Sequence, residues 1–250
     1  MKCLTLNNVS KEFSLKVKAK DSTLGRILDF WKHSRKTKKI LAVRDVSLNI
    51  DQGETLGIIG LNGSGKSTLL RLMADIYRPT SGSIWVSGRI ISIIGLSLRI
   101  EPRLSMLDNI FITCSLYGLD RTTIKSQVKA IAQFAELEDY LNTPLYQFSS
   151  GMISRLLFSI AIHSILNSKA RILLLDEVFA VGDIEFVKKS FSKLKEILKG
   201  ELTVVITGHN LDAMAENCNR VIWLDEGKII KDGKSQEVIA EYKKHAEHLT

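Results

Sequence analysis

The stretch GLNGSGKST, residues 60–68, decides the fold. It fits G-x-x-x-x-G-K-[ST] from Gly60 through Ser67, and its flanks have the character the motif needs. TLGIIG (residues 55–60) is a short apolar run that reads as a buried strand, and TLLRLMADIY (residues 68–77) places Leu69, Leu72, Met73 and Ile76 at helical spacing. A strand that breaks into a glycine loop and re-enters a helix cradles phosphate. The glycines let successive backbone N–H groups converge on one anion, and the helix start adds its positive end. Lys66 is expected to reach the β- and γ-phosphates of a nucleotide, and Ser67 to ligate Mg²⁺. Gly60, Leu61, Asn62, Gly63, Ser64, Gly65, Lys66, Ser67 and Thr68 make up the expected phosphate site. By residue frequencies a chance match arises in about one chain of this length in a hundred.

A cation held by one hydroxyl and by phosphates needs a carboxylate as well. RILLLDEV (residues 171–178) and TVVITGH (residues 203–209) read as two further core strands. Asp176, at the end of the first, is placed to hold Mg²⁺ directly or through water, and Glu177 to orient and deprotonate an attacking water. Acidic pairs also end ordinary strands; it is the glycine loop that gives this one weight. His209 closes the second strand, where parallel strands deliver ligand contacts, and is a candidate for the γ-phosphate and the attacking water. The competing reading for a lone histidine is a packed or surface residue.

The alternation of β-branched runs with helical periods is that of an α/β fold with a mainly parallel sheet covered by helices. Residues 108–166 read as mostly helical, with Pro144 the only interruption, which implies a helical subdomain over about residues 96–166 inserted in a single domain spanning residues 1–250. With 250 residues, 45% apolar and 25% charged, the chain has ordinary globular composition. Its three cysteines, Cys3, Cys114 and Cys218, show no metal-ligand spacing and read as buried or idle thiols. The longest apolar segment, residues 156–166, is about half of what a bilayer requires. The net charge of +8 permits nucleic acid or an anionic membrane surface as a partner and selects neither.

FSSGMISR (residues 148–155) is a second small-residue turn at the mouth of a helix. With it, the order of motifs resembles the ATP-binding subunit of ABC transporters over nearly the whole chain. The resemblance implies a P-loop NTPase with a RecA-like core, an inserted α-helical subdomain and a small antiparallel β portion. It implies an ATPase using ATP and Mg²⁺, and a homodimer in which Ser149, Ser150 and Gly151, standing where the family carries Leu-Ser-Gly-Gly-Gln, close over the γ-phosphate of ATP held by the other subunit. Phe13, in VSKEF, matches the aromatic that stacks on adenine, although such a residue is as often core. Asp183, in AVGD, matches the loop that crosses the dimer interface. LDEGKIIKDGKSQEVI (residues 224–239) matches a closing hairpin and helix, read as structural.

Ser-Ser-Gly-Met, Asp-Glu-Val followed by Val-Gly-Asp, and a basic insertion over residues 14–39 resemble the branch that exports bacterial cell-surface polysaccharide of the O-antigen, capsule and teichoic acid type. That resemblance implies an integral-membrane permease dimer as partner, lipid-linked polysaccharide reached through it, no nucleic acid, and a peripheral position on the cytoplasmic face of the inner membrane. The carbohydrate-binding domain that some members append is expected to be absent. Other readings are an importer or drug exporter, a soluble ATPase of this type acting on ribosomes or DNA, and a non-hydrolysing scaffold. One departure stands out: residues 95–97 are Gly-Leu-Ser where the family usually carries a Gln that touches Mg²⁺. In the insertion, nine Lys or Arg face two Asp, around an amphipathic stretch, residues 23–31. It reads either as a solvated loop or as a membrane-facing basic segment.

Overall fold

The computed structural model describes residues 1–16, 37–93, 100–176, 186, 193, 202–208 and 210–247. Strands β1 (Lys2–Lys16), β2 (Thr37–Asp51) and β4 (Ser81–Val86) form an antiparallel sheet ordered β2-β1-β4. A second sheet takes β3 (Thr55–Ile59), β5 (Arg89–Ile93), β6 (Ala170–Asp176), β7 (Thr203–Thr207), β8 (Arg220–Asp225) and β9 (Lys228–Lys234) in the order β5-β6-β7-β3-β8-β9. All its pairings are parallel except the last, the β8–β9 hairpin.

The central strands are apolar on both sides because both faces are covered. Ile59, Leu173, Leu175, Val204, Ile206, Val221 and Trp223 join one core, and Leu56, Ile58, Ile172, Leu174, Val205, Ile222 and Leu224 the other. This is the strand period of two, applied to two cores at once. The second core is shared with the antiparallel sheet and with α1 (Lys66–Met73), through Leu69, Leu70, Leu72 and Met73. The first is covered by α2 (Met106–Leu116), α3 (Arg121–Ala135) and α4 (Ser150–Leu166), and by side chains of α5 (Leu211–Asn217) and α6 (Ser235–Glu247). Each fully buried Leu or Ile contributes roughly 1.5–3 kcal/mol, so these layers hold the strand ends in place.

Two expectations from periodicity change. Ile76 does not extend the helix after the glycine loop: α1 ends at Met73 and Ile76 is 50% exposed. Asp75 turns left-handed, and Ile76 and Asp75 donate back to the carbonyls of Arg71 and Leu72, the bond pair that ends helices. Residues 108–166 are broken not only at Pro144 but at residues 117–120 and 136–149. Ser105, Asp120 and Ser149 each cap a new helix by accepting from Asp108, Thr123 and Met152, and Glu136 stops α3 in a left-handed turn. Arg155 of α4 then pairs with Glu136 at 3.0 Å. Asn109, fully buried on α2, donates to the carbonyls of Glu101, Leu104 and Ser105 and accepts from the Glu101 N–H, which fastens the segment before that helix.

Both ends of the basic insertion belong to strands. Ser14, Leu15 and Lys16 pair with Lys39, Lys38 and Thr37, and Lys39 meets Glu12 at 2.9 Å. The amphipathic stretch at residues 23–31 lies outside the described residues.

Candidate functional site

Because β3, β6 and β7 are parallel neighbours, their carboxyl ends reach one edge of the sheet, where an open α/β sheet binds ligands. From β3 the chain enters the glycine loop, and α1 then starts at Lys66 on Gly65, with no side chain capping it. The first-turn N–H groups of such a helix have no intrahelical acceptor. An anion fits that gap.

Gly65 has φ +107°, and a Cβ there would lie 2.4 Å from the Ala42 carbonyl oxygen of β2, so both conformation and space demand glycine. Against the same Ala42 carbonyl lies Gly227, in the β8–β9 turn, whose N–H donates to the Ser64 carbonyl at 2.9 Å and whose carbonyl accepts from the Arg44 N–H at 2.8 Å. The hairpin read from sequence as purely structural is therefore a wall of the phosphate loop. Lys66 is only 5% exposed and donates to the carbonyls of Gly60 at 2.8 Å and Leu61 at 3.1 Å. Leu61, Asn62 and Gly63 form the exposed rim, and Thr68 is half-buried in the first helical turn. The Ser64 hydroxyl is buried with no hydrogen-bond partner among the described residues. Unpaired buried hydroxyls are costly, and a polar ligand seated in the loop would relieve this one.

Ser67 and Asp176, 109 positions apart, meet where α1 faces the end of β6: the Ser67 hydroxyl donates to Asp176 Oδ1 at 3.3 Å. A hydroxyl and a carboxylate are hard oxygen donors of the kind Mg²⁺ takes while it draws its remaining ligands from phosphates and water. Among the described residues no group of three or more His, Cys, Asp or Glu could hold a metal, so a cation at this pair would need those outside oxygens. A third contact was not read from the sequence. Thr207, at the end of β7, donates to the same Oδ1 at 2.5 Å. The only signal for it was a hydroxyl closing an otherwise apolar run.

Phe13 is half-buried and stands edge-on to Tyr77, ring centres 5.4 Å apart, with Lys11 Nζ 5.3 Å and 5.7 Å from the two rings. Its partner Tyr77 went unread because that run was assigned to the helix. Ser149, Ser150 and Gly151 sit at the start of α4. The Ser149 hydroxyl accepts the Met152 N–H at 3.2 Å, Ser150 is exposed, and a Cβ at Gly151 would meet only Ser149 Oγ within 4 Å, at 3.9 Å. This turn is accessible and separate from the glycine loop in sequence. Glu177, Asp183 and His209, and residues 95–97, lie outside the described residues. No described helix is long and apolar enough to cross a bilayer.

Residues 43–180 match the ABC transporter family. The chain is 36% identical over 248 residues to the O-antigen export system ATP-binding protein RfbB of Myxococcus xanthus, covering 97% of this chain and 56% of that protein. It is 35% identical over 239 residues to the teichoic acids export ATP-binding protein TagH of Listeria monocytogenes, covering 96% of this chain and 69% of that one. It is 35% identical to the RfbB protein of Klebsiella pneumoniae over 208 residues, 83% of each. The chain thus spans little more than half the length of the first of these. Among solved structures, the ATP-binding cassette MJ0796 in a dimeric post-hydrolysis state with ADP and Pi has the same fold, at TM-score 0.70 and 22% identity over 93% of this chain and 98% of that one. The glycine loop, the Ser67–Asp176 pair at the sheet edge and these matches lead to one conclusion: the chain belongs to the ABC transporter family, as one of its ATP-binding cassettes.

Proposed function

We propose that this chain is the ATP-hydrolysing motor of an exporter for a lipid-linked cell-surface polymer of the O-antigen or teichoic acid type. The observation that carries the ATPase reading is the convergence of Lys66, the uncapped start of α1 and the Ser67–Asp176 pair on one edge of the sheet. In this reading the loop N–H groups and Lys66 bind the β- and γ-phosphates, and Ser67 and Asp176 hold Mg²⁺. When bound, Mg²⁺ neutralises phosphate charge as the bond to the leaving group breaks. Glu177, one residue beyond β6, takes a proton from the attacking water, and His209, just past β7, steadies that water and the γ-phosphate. Phe13 receives the adenine.

The accessible turn at Ser149, Ser150 and Gly151 suits a partner's nucleotide, so two chains close over two ATP molecules, with Asp183 at their interface. Residues 1–250 act as one cassette in which α2, α3 and α4 form an inserted helical subdomain. The cassette pair works from the cytoplasmic face of the membrane with a permease dimer. The names of the relatives support the substrate class, and the near-equal identities to O-antigen and teichoic acid exporters support a polymer rather than a small solute.

The test is Glu177→Gln. The variant keeps the phosphate and cation contacts, so it binds ATP, turns over at a rate lower by about 10²-fold or more, and accumulates as an ATP-bound dimer in light scattering. A variant that stays monomeric at saturating ATP contradicts the shared sites, and one that hydrolyses normally contradicts the assignment of the base. For the polymer, a strain lacking the gene retains lipid-linked glycan inside the cell; normal surface display in that strain counts against export.

A further inference from the structure

Thr207 closes β7 directly opposite Asp176, which closes β6. Paired positions on neighbouring strands present their side chains on the same face of the sheet, so register alone brings this hydroxyl to that carboxylate. Thr207 is fully buried, and its Oγ1 lies 2.5 Å from Asp176 Oδ1 and 3.4 Å from the Leu175 carbonyl. A hydroxyl has one proton to give, and the shorter contact to the charged acceptor takes it. Oδ1 is also the atom that accepts from Ser67 at 3.3 Å. On the same face of the sheet as Thr207 lies the fully buried Val205, so the hydroxyl reaches the half-buried carboxylate from its apolar side. Its β-branched side chain has few rotamers to choose from, which fixes the donor in place.

We propose that Thr207 is a positioning residue for the cation site. It anchors Oδ1 from the strand side, so that Asp176 keeps one orientation when the Ser67 hydroxyl turns from the carboxylate to a bound cation. The inference rests on the reading that Ser67 and Asp176 hold Mg²⁺. Partners that orient metal-binding carboxylates typically change metal affinity by roughly 10- to 100-fold when removed.

The experiment compares the full-length wild type with Thr207→Val, which keeps the shape and deletes the hydroxyl, and Thr207→Ser, which keeps the hydroxyl. Binding of a fluorescent ATP analogue is titrated with Mg²⁺ and repeated in EDTA, and Mn²⁺ with nucleotide is followed by electron paramagnetic resonance. For Thr207→Val the Mg²⁺ concentration at half-effect rises about 10-fold, affinity in EDTA stays at the wild-type value, and the Mn²⁺ spectrum broadens. Thr207→Ser restores the wild-type midpoint. Should the valine variant not fold, Thr207→Ala is put through the same titration. An unchanged midpoint, or equal losses of affinity with and without Mg²⁺, overturns the proposal, the second outcome marking Thr207 as a packing residue only. A wild type indifferent to Mg²⁺ overturns the cation reading itself, and this inference with it.

Discussion

Lys66 Nζ donates to the carbonyl oxygen of Gly60 at 2.8 Å, folding the ammonium back into the loop it belongs to. In the proposed site the same ammonium meets the phosphates, so binding would exchange a backbone carbonyl for phosphate oxygens. A hydrogen bond to a charged partner is worth about 1.5–3 kcal/mol, which is roughly 10- to 150-fold in affinity. Lys66→Ala is expected to weaken ATP binding by that factor, read by isothermal titration. Wild-type affinity in this variant would remove Lys66 from the site.

Gly65 and Gly63 both have positive φ, at +107° and +82°, yet they differ in surroundings. A Cβ at Gly65 strikes the Ala42 carbonyl at 2.4 Å, whereas at Gly63 nothing lies within 4 Å. Gly63→Ala therefore costs only left-handed strain, about 1–2 kcal/mol. Gly65→Ala adds a backbone clash and should cost at least about 3 kcal/mol, a fall in Tm of roughly 6–12 °C for a chain of this size. Differential scanning calorimetry should rank the two in that order; equal losses would contradict the close approach of the Ala42 carbonyl to Gly65.

Ser149 spends its hydroxyl on capping α4. Ser149→Ala is expected to lower stability by about 1 kcal/mol, or roughly 2–4 °C in Tm. Ser149→Arg tests the proposed shared site: placed on a Glu177→Gln background, it should still bind ATP through Lys66 but show no ATP-dependent dimer in light scattering. A dimer that persists would separate this turn from the partner's nucleotide.

The three thiols are buried, and burial is the first cause that raises all of them, Cys218 up to about 12 from its ordinary 9.0. Native protein at pH 8 should therefore react slowly with a disulfide reagent, and all three thiols should titrate at once in urea. The folded state keeps a proton on Cys218 that the unfolded chain releases from about pH 9. Stability from this group is thus intact below that value and declines as pH rises toward 12. Cys218→Ala should flatten this alkaline decline in urea melts, and an unaltered slope would show that Cys218 contributes none of it.

What was legible in the sequence was local. The glycine loop, the apolar strands and Asp176 announce themselves within a few neighbouring residues, because phosphate binding and two-sided burial each impose a short pattern. Thr207 was not legible as a partner of Asp176, since strand register across the sheet brings them together and no short pattern encodes register. Tyr77 beside Phe13 was missed for a related reason: a left-handed Asp75 ends the helix one turn earlier than the apolar spacing suggests. The helix breaks at residues 117–120 and 136–149 depend on caps at Asp120 and Ser149, cap-favouring residues that a reading by apolar spacing passes over.

The bond from the Gly227 N–H to the Ser64 carbonyl has a consequence for how the molecule is made. A loop near residue 60 leans on a turn near residue 227, a contact of large sequence separation that forms slowly and late. During synthesis the nascent phosphate loop has one side open until the β8–β9 hairpin has left the ribosome. In the proposed site, nucleotide competence would thus arrive with β8 and β9, although Lys66 and the loop N–H groups are synthesised much earlier.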